Sequence, residues 1–228
     1  MTIRTPPPGY ILGVDTSASQ RKLNVLALQG AGVSFIIAKA TDGEHTVDPQ
    51  WAASALACTD AGIAWTAYGV IEPTALDRAV PQAQHFIDLV KGSGITLAPS
   101  IDWELASKLS GHDAICAAWT WVDTVQQALG CACMTYTMPS FVELLERYAG
   151  TSAADALANL AKCPLWLAHY TEDFAHAPNV PPPWSQYTIW QASGGHLVSR
   201  NYSTLPGTNI DVDVDLFQGT VDQLPAGP

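Results

Sequence analysis

Basic side chains are the scarcest resource of this chain: 10 Lys and Arg stand against 21 Asp and Glu in 228 residues, for a net charge of −11. Such a chain has no basic stripe for a phosphate backbone, so nucleic acid and anionic membrane surfaces are excluded as partners. Long apolar runs are missing as well. None approaches the ~20 residues that span a bilayer, so no membrane insertion is expected. Residues 1–10 lack a basic start followed by an apolar stretch, so the expectation is synthesis in the cytoplasm without a signal peptide. Cysteine is sparse and odd in number: Cys58, Cys116, Cys131, Cys133 and Cys163. Cys131-Ala-Cys133 is too tight for a relaxed disulfide or a zinc knuckle, and no second pair follows it. A reducing compartment without structural disulfides is expected. The six histidines show no ligand spacing. Ser17 and Ser193 lack a Gly-x-Ser-x-Gly elbow, and no helix start follows Gly194-Gly195. No metal, cofactor or phosphate site is expected.

Hydrophobic residues make up 48% of the chain, with eight tryptophans among them. About half of those tryptophans are assigned to the core, leaving the others free to stack on sugar rings. The apolar pattern alternates short β-like runs with longer helical ones. Strands are expected at Tyr10 to Val14, Ser34 to Ala40, Ala64 to Ile71, Leu97 to Glu104 and Cys133 to Thr137. Helices are expected at Gln20 to Gln29, Asp48 to Ala61, Ala75 to Val90, His112 to Leu129 and Ser140 to Ala161, the last broken near Gly150. Three further strands follow, Leu165 to Tyr170, Tyr187 to Ala192 and Val212 to Phe217, joined by loops rich in Pro, Gly and Asn. Five β-α units and then three strands without helices describe an α/β fold, a single irregular TIM-like barrel. Its expected extent is residues 10–222, with a disordered N-terminal lead at 1–9 and a frayed C-terminal tail at 223–228.

In such a barrel the C-terminal strand ends build the site. Collected in chain order they are Asp15, Lys39, Tyr68, Asp102, Glu104, Tyr136, Tyr170, Gln191 and Asp213. The sharpest element is Asp102-Trp103-Glu104. Residues i and i+2 of a strand share a face, so both carboxyls converge on one small volume. Like charges held that close push one pKa up while the other stays low, which gives one proton donor and one stabilising anion. An acidic, aromatic-walled cup of this kind suits hydrolysis of a neutral glycan. Lys39 reads either as a substrate contact or as a rim lysine paired with Asp15. Trp166 and Trp190 read as wall or core, because strand parity alone does not say which face is inward. His169 is expected to point away from the cup.

The order of motifs resembles the lysozymes of glycoside hydrolase family 25. The resemblance is carried by Gly13-Val14-Asp15-Thr16-Ser17, Gly32 to Thr41, Ile101-Asp102-Trp103-Glu104, Leu165 to Tyr170, Ile189 to Ser193 and Asp213-Val214-Asp215-Leu216-Phe217. It implies a muramidase cutting the β-1,4 bond between N-acetylmuramic acid and N-acetylglucosamine, with net retention and help from the substrate's acetamido group. It also implies that Glu104 is the general acid, that Asp102 steers the acetamido group or the developing cation, and that Asp15 and Asp213 complete an acidic floor. Lys39, Tyr68, Tyr136, Trp166, Tyr170, Trp190 and Gln191 would contact substrate. The implied partner is bacterial cell-wall peptidoglycan, met by a monomer after release from the cell, as a phage-type endolysin would be. Among the alternating acids Asp211, Asp213 and Asp215, the four-residue distance to Phe217 selects Asp213, and Asp211 stays open. Two departures stand out. Asp215 replaces a usual polar residue, and Tyr68-Gly69-Val70 stands where the family commonly has Tyr-His-Phe, which hints at altered substrate preference. The competing reading is a glycan-binding or weakly active barrel acting on another acetamido-sugar polymer.

Overall fold

A computed structural model describes residues 6–20, 23–105, 109–171, 176–194 and 212–228. The chain runs β1 (Tyr10–Thr16), α1 (Val25–Gly30), β2 (Val33–Asp42), β3 (Thr46–Val47), α2 (Trp51–Ala61), β4 (Ala64–Val70), α3 (Ala79–Val90) and β5 (Ser100–Asp102). It continues with α4 (Gly111–Leu129), β6 (Met134–Thr137), α5 (Pro139–Ala149), α6 (Ala154–Leu160), β7 (Leu165–Ala168), β8 (Ile189–Ser193) and β9 (Asp213–Gln218). The sheet order is β1-β9-β8-β7-β6-β5-β4-β2, and β1 pairs with β2 to close the barrel. The two-residue β3 only extends the end of β2 as a hairpin. Strand pairs from β1–β2 through β7–β8 are parallel, whereas β9 is antiparallel to both β8 and β1. The fold class is as read from the pattern: five β-α units, then three strands with no helix between them among the described residues.

Capping chemistry explains where helices depart from the apolar periodicity. Asn24 accepts from the Ala27 amide at 3.1 Å, so α1 starts after it rather than at Gln20. Asp48 spends its carboxylate on the amides of Gln50 (2.8 Å) and Ala18 (2.9 Å), tying the loop after β1 to the entry of α2. Gly62 and Gly130 close α2 and α4 in the left-handed region (φ 63° and 70°), as helix-stop glycines do. The expected break near Gly150 is present, with a 3-10 turn over Gly150–Ala153 separating α5 from α6.

Strand parity splits the core in two. Phe35, Ile37, Tyr68, Met134, Tyr136, Trp166, Ile189 and Phe217 fill the barrel bore. Val14, Ile36, Trp65, Ile101, Leu167, Trp190 and Leu216 face the helices instead. Gly13 permits the tightest approach in the bore: a Cβ there would lie 2.2 Å from the Phe35 ring. The core claims more aromatics than expected, since seven of the eight tryptophans are buried and only Trp119 is partly exposed.

The terminal segments correct another expectation. Leu224 is buried in the bore, the Ala98 amide donates to Pro225 O (2.8 Å), and the Gly227 amide donates to Thr96 O (3.0 Å). The segment expected to fray therefore straps the barrel floor. Its apolar side chain has a cavity to fill, and its carbonyls have donors that β5, shorter than expected, leaves open. Within the expected N-terminal lead, the carbonyls of Pro7 and Gly9 accept from the Tyr10 and Gly219 amides, while residues 1–5 lie outside the described residues.

Candidate active site

β1 to β9 deliver their polar side chains to one mouth, but they arrive as a network rather than a ring. Gln191 is its hub. Its amide nitrogen donates to Asp15 Oδ2 at 2.6 Å, and its Oε1 accepts from the hydroxyls of Tyr136 (2.9 Å) and Tyr170 (3.1 Å). Gln191 is buried, so this one side chain fixes the rotamers of three others. Asp15 is buried too, at 4% exposure. Burial raises its pKa well above the ordinary carboxylate range, helped by Asp213, Asp215 and Asp102 and opposed by the Gln191 hydrogen bond.

Asp102 closes β5, and Glu104 follows two residues later, half-buried. Burial raises the Asp102 pKa well above normal, with the Glu104 charge adding to it and Lys39 opposing it. Glu104 is raised as well, by burial first, with Lys39 again opposing. The expected split, one pKa up and the other low, is thus corrected: burial raises both, and the mutual repulsion falls on Asp102. Both carboxyls therefore hold their protons more tightly than exposed ones do. Asp102 Oδ1 is buried and has no hydrogen-bond partner among the described residues.

Lys39 stands at the rim, 2.7 Å from Asp42 Oδ2. Its partner is therefore Asp42 and not Asp15. Both β2 residues lie close enough to act on Asp102 electrostatically. Asp213 is half-buried at the start of β9 and pairs in register with Asp15.

Two aromatics expected at the substrate take other places. Trp166 is 1% exposed within the bore, its ring centroid 4.6 Å from Tyr136 and 5.9 Å from Tyr68, so it supports the tyrosines from beneath. Trp190 belongs to the helix-facing layer and donates to the His169 carbonyl at 2.7 Å. Even numbers on β8 point outward, so Gln191 reaches the bore and Trp190 does not. Tyr68 is buried, and Tyr170, at 37% exposure, is the most accessible aromatic of the set. Gly69 carries no altered mouth contact: a side chain there would meet Phe86, Thr41 and Trp121 in the outer layer. Close packing at that spot accounts for the glycine.

Asp215 is the residue the motif reading passed over. It lies on β9 two positions from Asp213, is fully buried, and accepts from Trp166 Nε1 at 2.7 Å. The period of two was the available signal. Asp211, the third alternating acid, lies outside the described residues. No cluster of three or more His, Cys, Asp or Glu with metal-site geometry exists among the described residues.

Comparison with known proteins places this arrangement. The sequence profile of glycosyl hydrolases family 25 matches residues 14–198. The chain belongs to that family. It is a glycoside hydrolase. Relatives include Lysozyme M1 of Streptomyces globisporus, 28% identical over 98% of this chain and 73% of its own length. An N,O-diacetylmuramidase of Chalaropsis is 27% identical over 87% of this chain and 95% of its own. Among solved structures, the spore cortex lytic enzyme SleM of Clostridium perfringens superposes with a TM-score of 0.80 at 25% identity, covering 97% of this chain and 71% of that one.

Proposed function

We propose that this family 25 hydrolase is a peptidoglycan muramidase, cutting the β-1,4 bond from N-acetylmuramic acid to N-acetylglucosamine with net retention. The observation that carries the reading is the Asp102–Glu104 pair: two half-buried carboxyls with raised pKa, set two residues apart where the strands open. Support comes from the relatives named as lysozyme and muramidase. Glu104, whose pKa burial raises, donates its proton to the glycosidic oxygen as the C1–O bond breaks. Asp102 offers its unpartnered Oδ1 to the N–H of the 2-acetamido group, aiming the acetamido oxygen at C1. The cyclic oxazolinium ion so formed is neutralised by Asp102. Water then attacks C1 from the face the leaving group vacated and gives its proton to the Glu104 carboxylate, which restores the starting state. Asp15, held by Gln191, and Asp213 supply further negative potential under the developing positive charge.

The test is digestion of purified peptidoglycan followed by identification of the new reducing end. N-acetylmuramic acid there supports the reading. N-acetylglucosamine would make the protein a glucosaminidase, and no new end would leave a binding barrel. Retention is checked separately by the anomer first released.

A further inference from the structure

Asp215 sits in the bore with no charge partner among the described residues that could keep it ionised. It is fully buried, and its one hydrogen bond is the neutral Trp166 indole at 2.7 Å on Oδ1. Oδ2 has no donor. A buried carboxylate served by a single neutral donor is strongly disfavoured. Its surroundings make matters worse, because the groups facing it are themselves acidic or neutral. They are Asp15 on β1, Asp213 on its own strand, and Gln191 and Trp166 on β8 and β7. Lys39 is occupied by Asp42 at the rim. Asp15 is in the same position, with one neutral donor, Gln191, on Oδ2. The two residues face the bore from neighbouring strands, diagonal across the β1–β9 register, and each carboxyl holds its proton more tightly than an exposed one does.

We propose that Asp215 is a positioning residue that holds a proton beneath the active site and donates it as a hydrogen bond to Asp15, so that the pair presents one fixed negative charge to the substrate. Trp166 locks the Asp215 rotamer and Gln191 locks that of Asp15, which leaves the remaining oxygens to share the proton. Two like carboxyls that share one dry site bind a proton jointly. The charge beneath the reaction is then set by the pair rather than by two independent acids. The chain departs here from the family's usual polar residue, and an uncharged donor at 215 would do the same positioning. The inference deepens the muramidase reading and rests on it for the role of Asp15, but the proton sharing is testable without any substrate.

Both pKa values are raised in the folded protein, so the native state binds more protons than the unfolded chain above the ordinary carboxylate range. Stability is therefore full below the unfolded pKa and is lost as pH rises toward the folded value. Urea unfolding of wild type, Asp215→Asn and, as control, the exposed Asp60→Asn from pH 4 to pH 8 reads this directly. The expected result is a flatter pH dependence in Asp215→Asn, while Asp60→Asn keeps the wild-type slope. An Asp215→Asn curve parallel to wild type would overturn the proposal. Turnover separates positioning from bulk structure. Asp215→Asn, whose amide still donates to Asp15, should stay within about threefold of wild type, whereas Asp215→Val should lose about tenfold or more in kcat with KM little changed. Equal losses in both variants would overturn it. Should either variant fail to fold, the side-chain carboxyl resonances of Asp15 and Asp215 in wild-type protein decide. Joint titration supports the shared proton, and independent titration in the ordinary range refutes it. If wild type shows no peptidoglycan cleavage, the muramidase reading falls while the stability and resonance results still judge the pair.

Discussion

The lower and upper halves of the bore are lined by the same strands and differ in almost everything else. Below, Phe35, Met134, Ile189, Phe217 and Leu224 meet in an apolar plug sealed by the C-terminal strap. Above, Asp15, Tyr136, Gln191 and Asp215 are buried and Asp102 half-buried, with few donors and no buried cation among the described residues. Burying carboxyls costs folding free energy, and the apolar half offsets that cost a few ångströms away. Parity decides which side chains enter the bore, and height along the strand decides whether they stabilise or react. Natural proteins concentrate such violations at functional sites, and here the violation is confined to one end.

Breaking the upper half should cost activity and leave the fold intact. Glu104→Gln removes the proposed proton donor and should lower peptidoglycan turnover by about 10²–10⁴-fold. Because the Glu104 pKa is raised in the fold, ionisation at neutral pH opposes folding, so the variant should unfold no more easily than wild type. Wild-type turnover in that variant would place the acid elsewhere. Breaking the lower half should do the reverse. Phe35→Ala opens a cavity under Gly13 and should cost about 3–5 kcal/mol in urea unfolding, with kcat per folded molecule unchanged. A large kcat loss would show that the two halves are coupled through packing.

Smaller changes sharpen the boundary. Asp102→Asn keeps shape and removes charge, so kcat should fall about 10²–10³-fold with KM nearly constant. A rise in KM with kcat preserved would mean that Asp102 only binds. Trp190→Phe probes the layer outside the barrel. It loses the bond to the His169 carbonyl, so about 1 kcal/mol of stability should go and turnover should stay as it was. Loss of turnover beyond threefold would bring Trp190 back to the substrate.

Much of the molecule was legible in the chain because local rules agree with the fold. The alternation of β-like and helical runs, the stops at Gly62 and Gly130, and the break at Gly150 follow from propensity and backbone conformation. The convergence of Asp102 and Glu104 follows from strand period. Boundaries shifted where a side chain chose a partner that is distant or unannounced, as when Asp48 divided its carboxylate between the loop after β1 and the Gln50 amide before α2. The tail was misjudged for the same reason: nothing in Leu224-Pro225 announces a cavity across the barrel floor that it can close.

Sequence by itself determined the fold class, the family and the strand ends from which the acids project, since each is written in a local pattern or an ordered set of motifs. Tertiary structure alone decided which acids share an environment. It paired Lys39 with Asp42, turned Trp190 outward, made Gln191 the hub, and buried Asp215 beside Asp15. Those outcomes depend on closing the barrel, when β9 comes to lie against β1 and residues some 200 positions apart meet in a space that excludes water. The pKa of a carboxyl belongs to that dry space and to its neighbours, and neither exists until the last strand is in place.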